Sequence, residues 1–343
     1  MKKTVLAFAA VLALTSSVVA EDNIRIVGSS TVYPFSSSIA EEFGATVKGM
    51  ATPIVESTGT GGGMKIFCGS NDDKSPDITN ASRRMKASEF ETCVKNGVTN
   101  ITENMIGFDG IAIAQNKKNP ALALTREQLF LAVAEEIPSK DGKSLVKNPY
   151  KKWSDIDANL PNRAITVYGP PKSSGTRDSF EEMVMIHNTE KSDLYLGAGF
   201  KKGYNKIRQD GVYIDSGEND NLIVQKLTKD TNAIGVFGYS FLEENGNKVS
   251  GAKVDGFDPT PANIASGAYP ISRSLFFYVK NDHRTAKPSI NKFVELFMSE
   301  KQIGERGALK RIGLVPADKA TRTTAIKNAL AIKPLSAADL KSK

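Results

Sequence analysis

Short apolar runs alternate with helical patterns along this chain, and a loop of small residues joins each run to the helix that follows it. Residues 24–27 form the first apolar run, and residues 28–31 follow as a loop of glycine, serine and threonine. Apolar side chains then recur at helical spacing through residues 32–43. The same order begins three more times, near residues 53, 77 and 165. Short strands that alternate with helices predict an α/β fold with largely parallel sheets.

Two further strand-like passages divide the chain. Residues 106–114 and 274–279 are rich in apolar side chains, and we interpret them as strands that cross between two lobes. Residues 116–272 then form one lobe, and residues 21–115 together with 273–343 form the other, discontinuous lobe. Two crossings make a hinge, and a ligand in the cleft favours the closed state through the contacts that it gains there.

The first 20 residues have the pattern of a secretory signal peptide. Lys2 and Lys3 precede an apolar stretch at residues 5–14, and small residues lead to a cleavage site after Ala20. This stretch is too short for a membrane-spanning helix, which needs about 20 apolar residues. We therefore expect a periplasmic protein without direct membrane insertion. Loss of the two lysines lowers the formal net charge from +7 to +5.

The composition argues against several kinds of site. Of the 343 residues, 40% are hydrophobic and 24% are charged, which is typical of a soluble globular protein. Two histidines and two cysteines are few for a zinc enzyme. The glycine run at residues 59–63 lacks the spacing of a nucleotide-binding loop. We therefore predict no metal, no cofactor and no catalytic residue, and the scattered lysines indicate a solvated surface rather than a nucleic-acid site.

The cysteines and histidines lead to structural expectations. Cys68 and Cys93 lie 25 positions apart, and in an oxidising compartment they can form a disulfide within one domain. Two buried free thiols are the alternative. His187 falls on the apolar stripe of a predicted helix, and His283 falls in a polar sequence that is typical of a surface turn. Neither histidine is therefore assigned a catalytic role.

The four loops of the repeated pattern could together hold an oxyanion. Each follows the carboxyl end of a predicted strand, where α/β proteins bind ligands, and each begins a helix whose free N–H groups favour an anion. The loop hydroxyls belong to Ser30, Thr31, Thr60, Ser82, Ser174 and Thr176. Arg83 or Arg177 could add a forked cationic contact. Any one loop is also explained as a helix cap or a turn, but four in succession favour an anion site.

The order of these motifs resembles that in the periplasmic phosphate-binding proteins of ABC transporters, a type II solute-binding protein family. The resemblance covers residues 24–315 and rests on the leader and on residues 28–32, 58–63, 81–83, 174–177 and 233–235. It implies two lobes, each a mixed, mainly parallel sheet flanked by helices, with the ligand in the interlobe cleft. It also implies a protein that is not an enzyme, that closes over inorganic phosphate, and that delivers it to permease subunits for import. A monomer is expected.

The resemblance also implies a set of ligand contacts when it is carried over by position. These are Ser30, Thr31, Thr60, Ser82, Arg83, Ser174, Gly175 and Thr176, with Arg177 as a further contact.

This chain departs from the family in two of the loops. Arg83 stands where many members have an aspartate that accepts the proton of hydrogen phosphate. Residues 170–172 are Pro-Pro-Lys where many members have an arginine and an aspartate. Asp109 and Glu56 are two candidates for the missing proton acceptor, although each is also explained as a structural residue.

The departures leave other functions open. Sulfate, molybdate or a phosphonate could replace phosphate as the ligand. An exported phosphatase is a further alternative, and it would need an activated nucleophile or a pair of metal ions, neither of which the sequence indicates.

Overall fold

The computed structural model describes residues 23–172, 174–217 and 219–340. The predicted signal peptide at residues 1–20 lies outside these ranges. No helix within them is both long and apolar enough to cross a lipid bilayer. Strands and helices alternate through most of the chain, as the sequence pattern predicts.

The elements are numbered in chain order. The strands are β1 Arg25–Gly28, β2 Ile54–Ser57, β3 Ile78–Ala81, β4 Ile101–Asn116, β5 Ala123–Leu124, β6 Glu136–Pro138, β7 Leu145–Lys147, β8 Val167–Gly169, β9 Tyr213–Asp215, β10 Ile234–Gly238, β11 Val249–Gly251, β12 Lys253–Val254 and β13 Ser272–Lys280. The helices are α1 Tyr33–Thr46, α2 Thr60–Phe67, α3 Ala87–Lys95, α4 Arg126–Val133, α5 Trp153–Ile156, α6 Gly175–Phe180, α7 His187–Thr189, α8 Asp193–Gly197, α9 Asp220–Lys229, α10 Tyr239–Glu244, α11 Pro261–Ser266, α12 His283–Ala286, α13 Ser289–Phe297, α14 Glu300–Ile303 and α15 Lys319–Leu330. A π-helix, Glu181–Ile186, joins α6 to α7, and a 3₁₀ helix spans Ala308–Ile312.

One sheet runs through both halves of the molecule in the order β2-β1-β3-β13-β4-β10-β8-β9. β1 is parallel to β2 and β3, and β8 is parallel to β9 and β10. β13 forms antiparallel ladders with β3 and β4, and β10 and β11 are antiparallel to β4. Each lobe therefore combines parallel outer strands with antiparallel ladders where the chain crosses between lobes.

β4 connects the two lobes. Its residues 101–110 pair with β13, and its residues 111–116 pair with β10 and β11. The long β4 and β13 are the crossing strands that the sequence pattern predicts. The predicted lobe limits at residues 115 and 273 stay a prediction, because β4 runs unbroken past the first of them.

The buried side chains form separate cores on the two sides of this crossing. One cluster extends from Phe108 to Ile271 and adds two residues near position 316. The other two clusters are built from residues up to Ile106 and from Leu275 onwards. The expectation of a mixed α/β, two-lobed fold is confirmed.

Two glycines, one at the end of β1 and one in α2, allow this strand and this helix to approach closely. Gly28 has φ +127°, and a Cβ atom there would lie 2.2 Å from the carbonyl oxygen of Asn80. A Cβ atom on Gly63, in α2, would lie 2.4 Å from the Cα atom of Gly28. Larger residues cannot occupy either position without a backbone shift, because real Cβ atoms do not come this close. The helix α2, which begins at Thr60 within the glycine run, therefore packs directly against the first loop.

The cysteines and histidines have definite places in this fold. Cys68 and Cys93 form a disulfide between the end of α2 and α3, so the paired alternative is the one observed. His187 is exposed on α7. The expectation of a surface turn at His283 is wrong, because this side chain is 3% exposed and its Nδ1 lies 2.7 Å from Oδ1 of the buried Asp77.

Candidate functional site

Two of the predicted loops meet across the interlobe cleft. They line a cavity of about 700 Å³ whose other walls come from β2, β4, β10, α1, α9, α10 and the end of the 3₁₀ helix. The predicted site residues in its wall are Ser30, Thr31, Ser174, Gly175 and Thr176. The structure therefore brings together the first and the fourth loop of the predicted anion site.

The loops are in direct contact at Gly175. A Cβ atom on this residue would lie 2.7 Å from the carbonyl oxygen of Ser30 and 3.0 Å from the Cα atom of Thr31. Ser174 caps the helix that begins here, because its Oγ accepts a hydrogen bond from the N–H of Thr176 at 3.2 Å. That helix continues through the π-helix to Thr189. Glycine is thus required where the two lobes touch.

Side-chain hydrogen bonds also join the two lobes at this point. The hydroxyl of Ser30 donates to the carboxylate of Asp178. The hydroxyls of Thr31 and Ser179 lie 3.1 Å apart. Both lobes therefore present hydroxyl groups to the base of the cleft.

Arg273, the second residue of β13, is a candidate site residue that the sequence analysis missed. Its Nη2 donates to Oγ1 of Thr31 at 2.6 Å and also to the hydroxyl of Ser179. Its Nη1 donates to the carboxylate of Glu182. Among the described residues, Nε of Arg273 has no hydrogen-bond acceptor, and it lies 3.8 Å from Oδ2 of Asp109. The Arg273 side chain is 9% exposed, and its guanidinium lies between hydroxyls of both lobes.

The two candidate proton acceptors occupy different surroundings. Asp109 is buried and lines the cavity, and it accepts a hydrogen bond from Ser179 at 3.0 Å. Burial raises the pKa of Asp109, although Arg273 and the hydrogen bond from Ser179 act in the opposite direction. Glu56 is exposed on β2, where it pairs with Arg25 at 3.1 Å. Only Asp109 is brought to the cleft.

The third loop, which Thr60 of the second loop contacts, lies apart from this cavity. Ser82 and Arg83 line a separate cavity of about 330 Å³, whose wall also includes Arg273. Thr60 supports this loop, because its Oγ1 accepts a hydrogen bond from the N–H of Ser82 at 3.0 Å. The predicted site is therefore divided in this structure, with Arg273 between its two parts.

The two arginines suggested by the sequence are both held by carboxylates. Arg83 forms a forked pair with Glu89 at 2.9 and 2.7 Å, which raises the pKa of the guanidinium. Arg177 is 3% exposed, and its Nε donates to Glu181 at 2.7 Å. Its guanidinium also lies 4.5 Å from the ring centre of Tyr213. Arg177 lines neither cavity, so its observed contacts position the start of its own helix.

No metal centre is formed by the described part of the chain. Within residues 23–172, 174–217 and 219–340, no group of three or more histidine, cysteine, aspartate or glutamate side chains is placed to hold a metal ion.

A two-lobed fold with a polar interlobe cleft defines a class of solute-binding proteins, and comparison with known sequences identifies the family. The sequence model described as the PBP superfamily domain matches residues 15–301, and the chain belongs to this family. The resemblance to phosphate-binding proteins is confirmed by the relatives that the chain matches.

Two curated relatives match most of this chain. Protein SphX of Synechococcus elongatus is 32% identical over 305 residues, which cover 87% of this chain and 78% of SphX. The phosphate-binding protein PstS of Staphylococcus saprophyticus is 29% identical over 287 residues, which cover 82% of this chain and 77% of PstS.

Solved structures share the fold. A possible phosphate-binding protein from Planctomyces limnophilus superimposes with a TM-score of 0.73 at 28% identity, over 91% of this chain and 98% of that protein. An ABC-type phosphate transport receptor from Vibrio cholerae has a TM-score of 0.56 at 22% identity, over 81% of this chain and 95% of the receptor. The second match supports the fold alone.

Proposed function

We propose that this protein binds inorganic phosphate in the interlobe cleft and delivers it to the permease of an ABC transporter. The observation that carries the proposal is the guanidinium of Arg273, whose Nη2 donates to hydroxyls of both lobes, Thr31 in the first loop and Ser179 in the helix that Ser174 caps. Hydroxyl groups can donate to phosphate oxygens, and a forked guanidinium adds charge-assisted hydrogen bonds, which are stronger than neutral ones. The names of the relatives, several of which are phosphate-binding proteins, support the same ligand.

Each part of the site has a proposed role toward the anion. The hydroxyls of Ser30, Thr31 and Thr176 and the N–H of Gly175 donate to the phosphate oxygens. Arg273 supplies the cation, because among Arg83, Arg177 and Arg273 it is the one whose guanidinium also donates to hydroxyls of both lobes. Thr60, Ser82 and Ser174 complete the predicted set as donors or as supports of their loops.

Asp109 is the proposed acceptor of the ligand proton. Its carboxylate is buried at the cavity wall, where hydrogen phosphate can donate to it and sulfate cannot. A fully ionised sulfate would oppose its oxygen lone pairs to that carboxylate, at a cost of roughly 1–3 kcal/mol. In this role Asp109 performs no chemistry on the ligand. We further propose that the protein acts in the periplasm as a monomer.

Isothermal titration calorimetry at pH 8 with phosphate and sulfate tests the proposal. We expect phosphate to bind and sulfate to bind at least about fivefold more weakly, as the lone-pair cost predicts. Equal affinities would contradict the assignment of Asp109, and absence of phosphate binding would contradict the function. Incubation with a generic phosphate monoester is the control for enzymatic activity, and release of inorganic phosphate would show that the protein is a phosphatase.

A further inference from the structure

The positive charge of the chain is concentrated at its C-terminal end. Residues 319–343 carry six basic side chains and one acidic side chain, so their formal charge of +5 equals that of the whole chain without its leader. Arg322 is buried and pairs with Glu300 at 3.0 Å. The exposed lysines are Lys319, Lys327 and Lys333, and Lys341 and Lys343 follow outside the described residues. Such an asymmetric charge is typical of a segment that contacts an anionic surface.

The end of α15 has an unfavourable backbone conformation. The N–H of Ile332 donates to the carbonyl of Ala329 at 3.1 Å, and the N–H of Lys333 donates to that of Asn328 at 3.0 Å. These two bonds close the helix as a Schellman motif. Ile332 occupies the left-handed position of this motif with φ +51°, where glycine is the usual residue and a β-branched residue is an outlier. The fold therefore carries an isoleucine where its backbone favours glycine.

The apolar side chains at this helix end are not taken up by the core. Ile332 is 37% exposed, and Leu330, at 54%, is the most exposed large apolar side chain in the described part of the chain. Lys327 lies one turn before Leu330, and Lys333 directly follows Ile332. These four residues form what we call the C-terminal patch. Exposed apolar side chains flanked by lysines are typical of a surface that binds at the boundary of a lipid bilayer.

The C-terminal patch lies away from the interlobe cleft. Pro334 forms a bridge with Thr102 near the start of β4, whereas Asp109 of the same strand lines the cleft cavity. A strand rises about 3.3 Å per residue, so these two positions on β4 are about 23 Å apart. A surface that contacts the patch therefore leaves the cleft accessible.

We propose that the C-terminal patch binds reversibly to the surface of an anionic phospholipid bilayer. Leu330 and Ile332 enter the boundary between the headgroups and the acyl chains, and Lys327 and Lys333 contact the anionic headgroups. A second copy of this chain fits the patch poorly, because the lysines of the two copies would face each other. The proposal does not depend on which ligand the cleft binds.

Vesicle flotation of the chain without its leader tests the proposal. One set of vesicles contains equal parts of phosphatidylglycerol and phosphatidylcholine, and the other contains phosphatidylcholine alone. We expect the partition coefficient at low salt to be at least about tenfold higher for the anionic vesicles, and high salt should remove the difference by screening. The double variant Lys327→Gln/Lys333→Gln should lower it at least about tenfold, and Leu330→Ser at least about threefold.

Matched controls remove the same groups elsewhere on the surface. Lys140→Gln/Lys143→Gln removes two exposed lysines from the turn between β6 and β7. Leu196→Ser changes a leucine in α8 that is 36% exposed. Each control should change the partition coefficient less than about twofold. An equal loss in the control pair of lysines would mean that binding follows the net charge, and this result would overturn the proposal.

Ile332→Gly separates membrane binding from stability. Glycine adopts the left-handed conformation at no steric cost, so the unfolding temperature should not fall, while the partition coefficient should fall at least about threefold. A lower unfolding temperature with unchanged vesicle binding would assign Ile332 to the fold and overturn the proposal. Equal binding to both kinds of vesicle would also overturn it. So would self-association in sedimentation velocity that Leu330→Ser abolishes, because the patch would then bind a second copy.

Discussion

Buried charges lie at both ends of β13, and they are arranged in opposite ways. At the start of the strand, Nε of Arg273 has no acceptor among the described residues and lies 3.8 Å from Asp109. At its end, the fully buried Asp77 accepts hydrogen bonds from Nδ1 of His283 at 2.7 Å and from Nζ of Lys287 at 2.9 Å. The carboxylate of Asp77 is therefore hydrogen-bonded by side chains of the protein itself. Arg273, in contrast, keeps one N–H group without an acceptor and lines the smaller cavity.

The pKa values of the two aspartates shift in opposite directions. Burial raises the pKa of Asp109, and its partners do not reverse this effect. Burial would also raise the pKa of Asp77, but hydrogen bonds from His283, the N–H of Arg25 and Lys287 hold it below its usual range. Buried polar groups that are fully paired stabilise one fold, whereas unpaired ones are costly unless a ligand completes them. The comparison supports the proposal that the first cluster binds the ligand and that the second stabilises the fold.

Asp77→Asn should give the largest change in stability. The substitution leaves Lys287 and His283 without their buried acceptor charge, so we expect a loss of about 3–5 kcal/mol in the free energy of unfolding. Denaturant titration measures this loss, and calorimetry should show little change in phosphate affinity. Asp73→Asn, four positions away on the exposed surface, is the control. A loss as small as that of the control would contradict the structural role of the cluster.

The difference in stability between the wild type and Asp77→Asn should depend on pH in a defined way. The pKa of Asp77 is lower in the folded protein than in the unfolded chain. Its stabilising contribution is therefore present above the unfolded pKa of about 3.9 and is lost as the pH falls through the folded pKa. The difference in unfolding free energy between the wild type and Asp77→Asn should shrink below about pH 4. A difference that stays constant into the acidic range would contradict this assignment.

Arg273→Gln should give the largest change in affinity. Charge-assisted hydrogen bonds contribute about 1.5–3 kcal/mol each, and loss of two of them weakens phosphate binding by about 100-fold or more. Arg83→Gln is the control because Arg83 already pairs with Glu89, and we expect it to weaken binding less than about fivefold. Calorimetry measures both. A greater loss for Arg83→Gln would show that the anion lies in the smaller cavity.

The fold and half of the candidate site could be predicted because both depend on local patterns. An apolar run followed by small residues marks the end of a strand, and this pattern locates Ser30, Thr31 and residues 174–176 beside the cleft. The crossing strands could be predicted because their apolar passages are longer than the other apolar runs. These inferences require only neighbouring residues and the rule that the carboxyl ends of parallel strands share an edge.

Arg273 and His283 were missed because their partners are distant in sequence. Arg273 faces Asp109 across the ladder between β13 and β4, a register that no local pattern determines. One signal was present, since Asp109 is the lone charge within the apolar passage 106–114 and Arg273 directly precedes the passage 274–279. His283 follows Asp282 in a polar segment, and only the contact with Asp77 brings it into the core.

Asp109→Asn should alter selectivity more than stability. The amide can donate to either anion, so the penalty against sulfate is removed, and the ratio of phosphate to sulfate affinity should fall by about tenfold. Since the pKa of Asp109 is raised in the fold, the ionised group reduces stability above that pKa, and the variant should unfold no more easily than the wild type at pH 8. Calorimetry with both anions and thermal unfolding check the two parts. An unchanged ratio would assign Asp109 to structure alone.

Asp178→Asn should give the smallest effect, and its sign is opposite to that of Arg273→Gln. The carboxylate of Asp178 accepts the hydrogen bond of the Ser30 hydroxyl, so it competes with the ligand for that donor and also repels an anion. Weakening this contact should tighten phosphate binding by about two- to fivefold, because a single hydrogen bond contributes about 0.5–1.5 kcal/mol net. Asp193→Asn is the control, since Asp193 is an exposed acid at the start of α8 and carries the same charge. An equal gain in both variants that disappears at high salt would mean that long-range repulsion, and not the contact with Ser30, opposes the ligand.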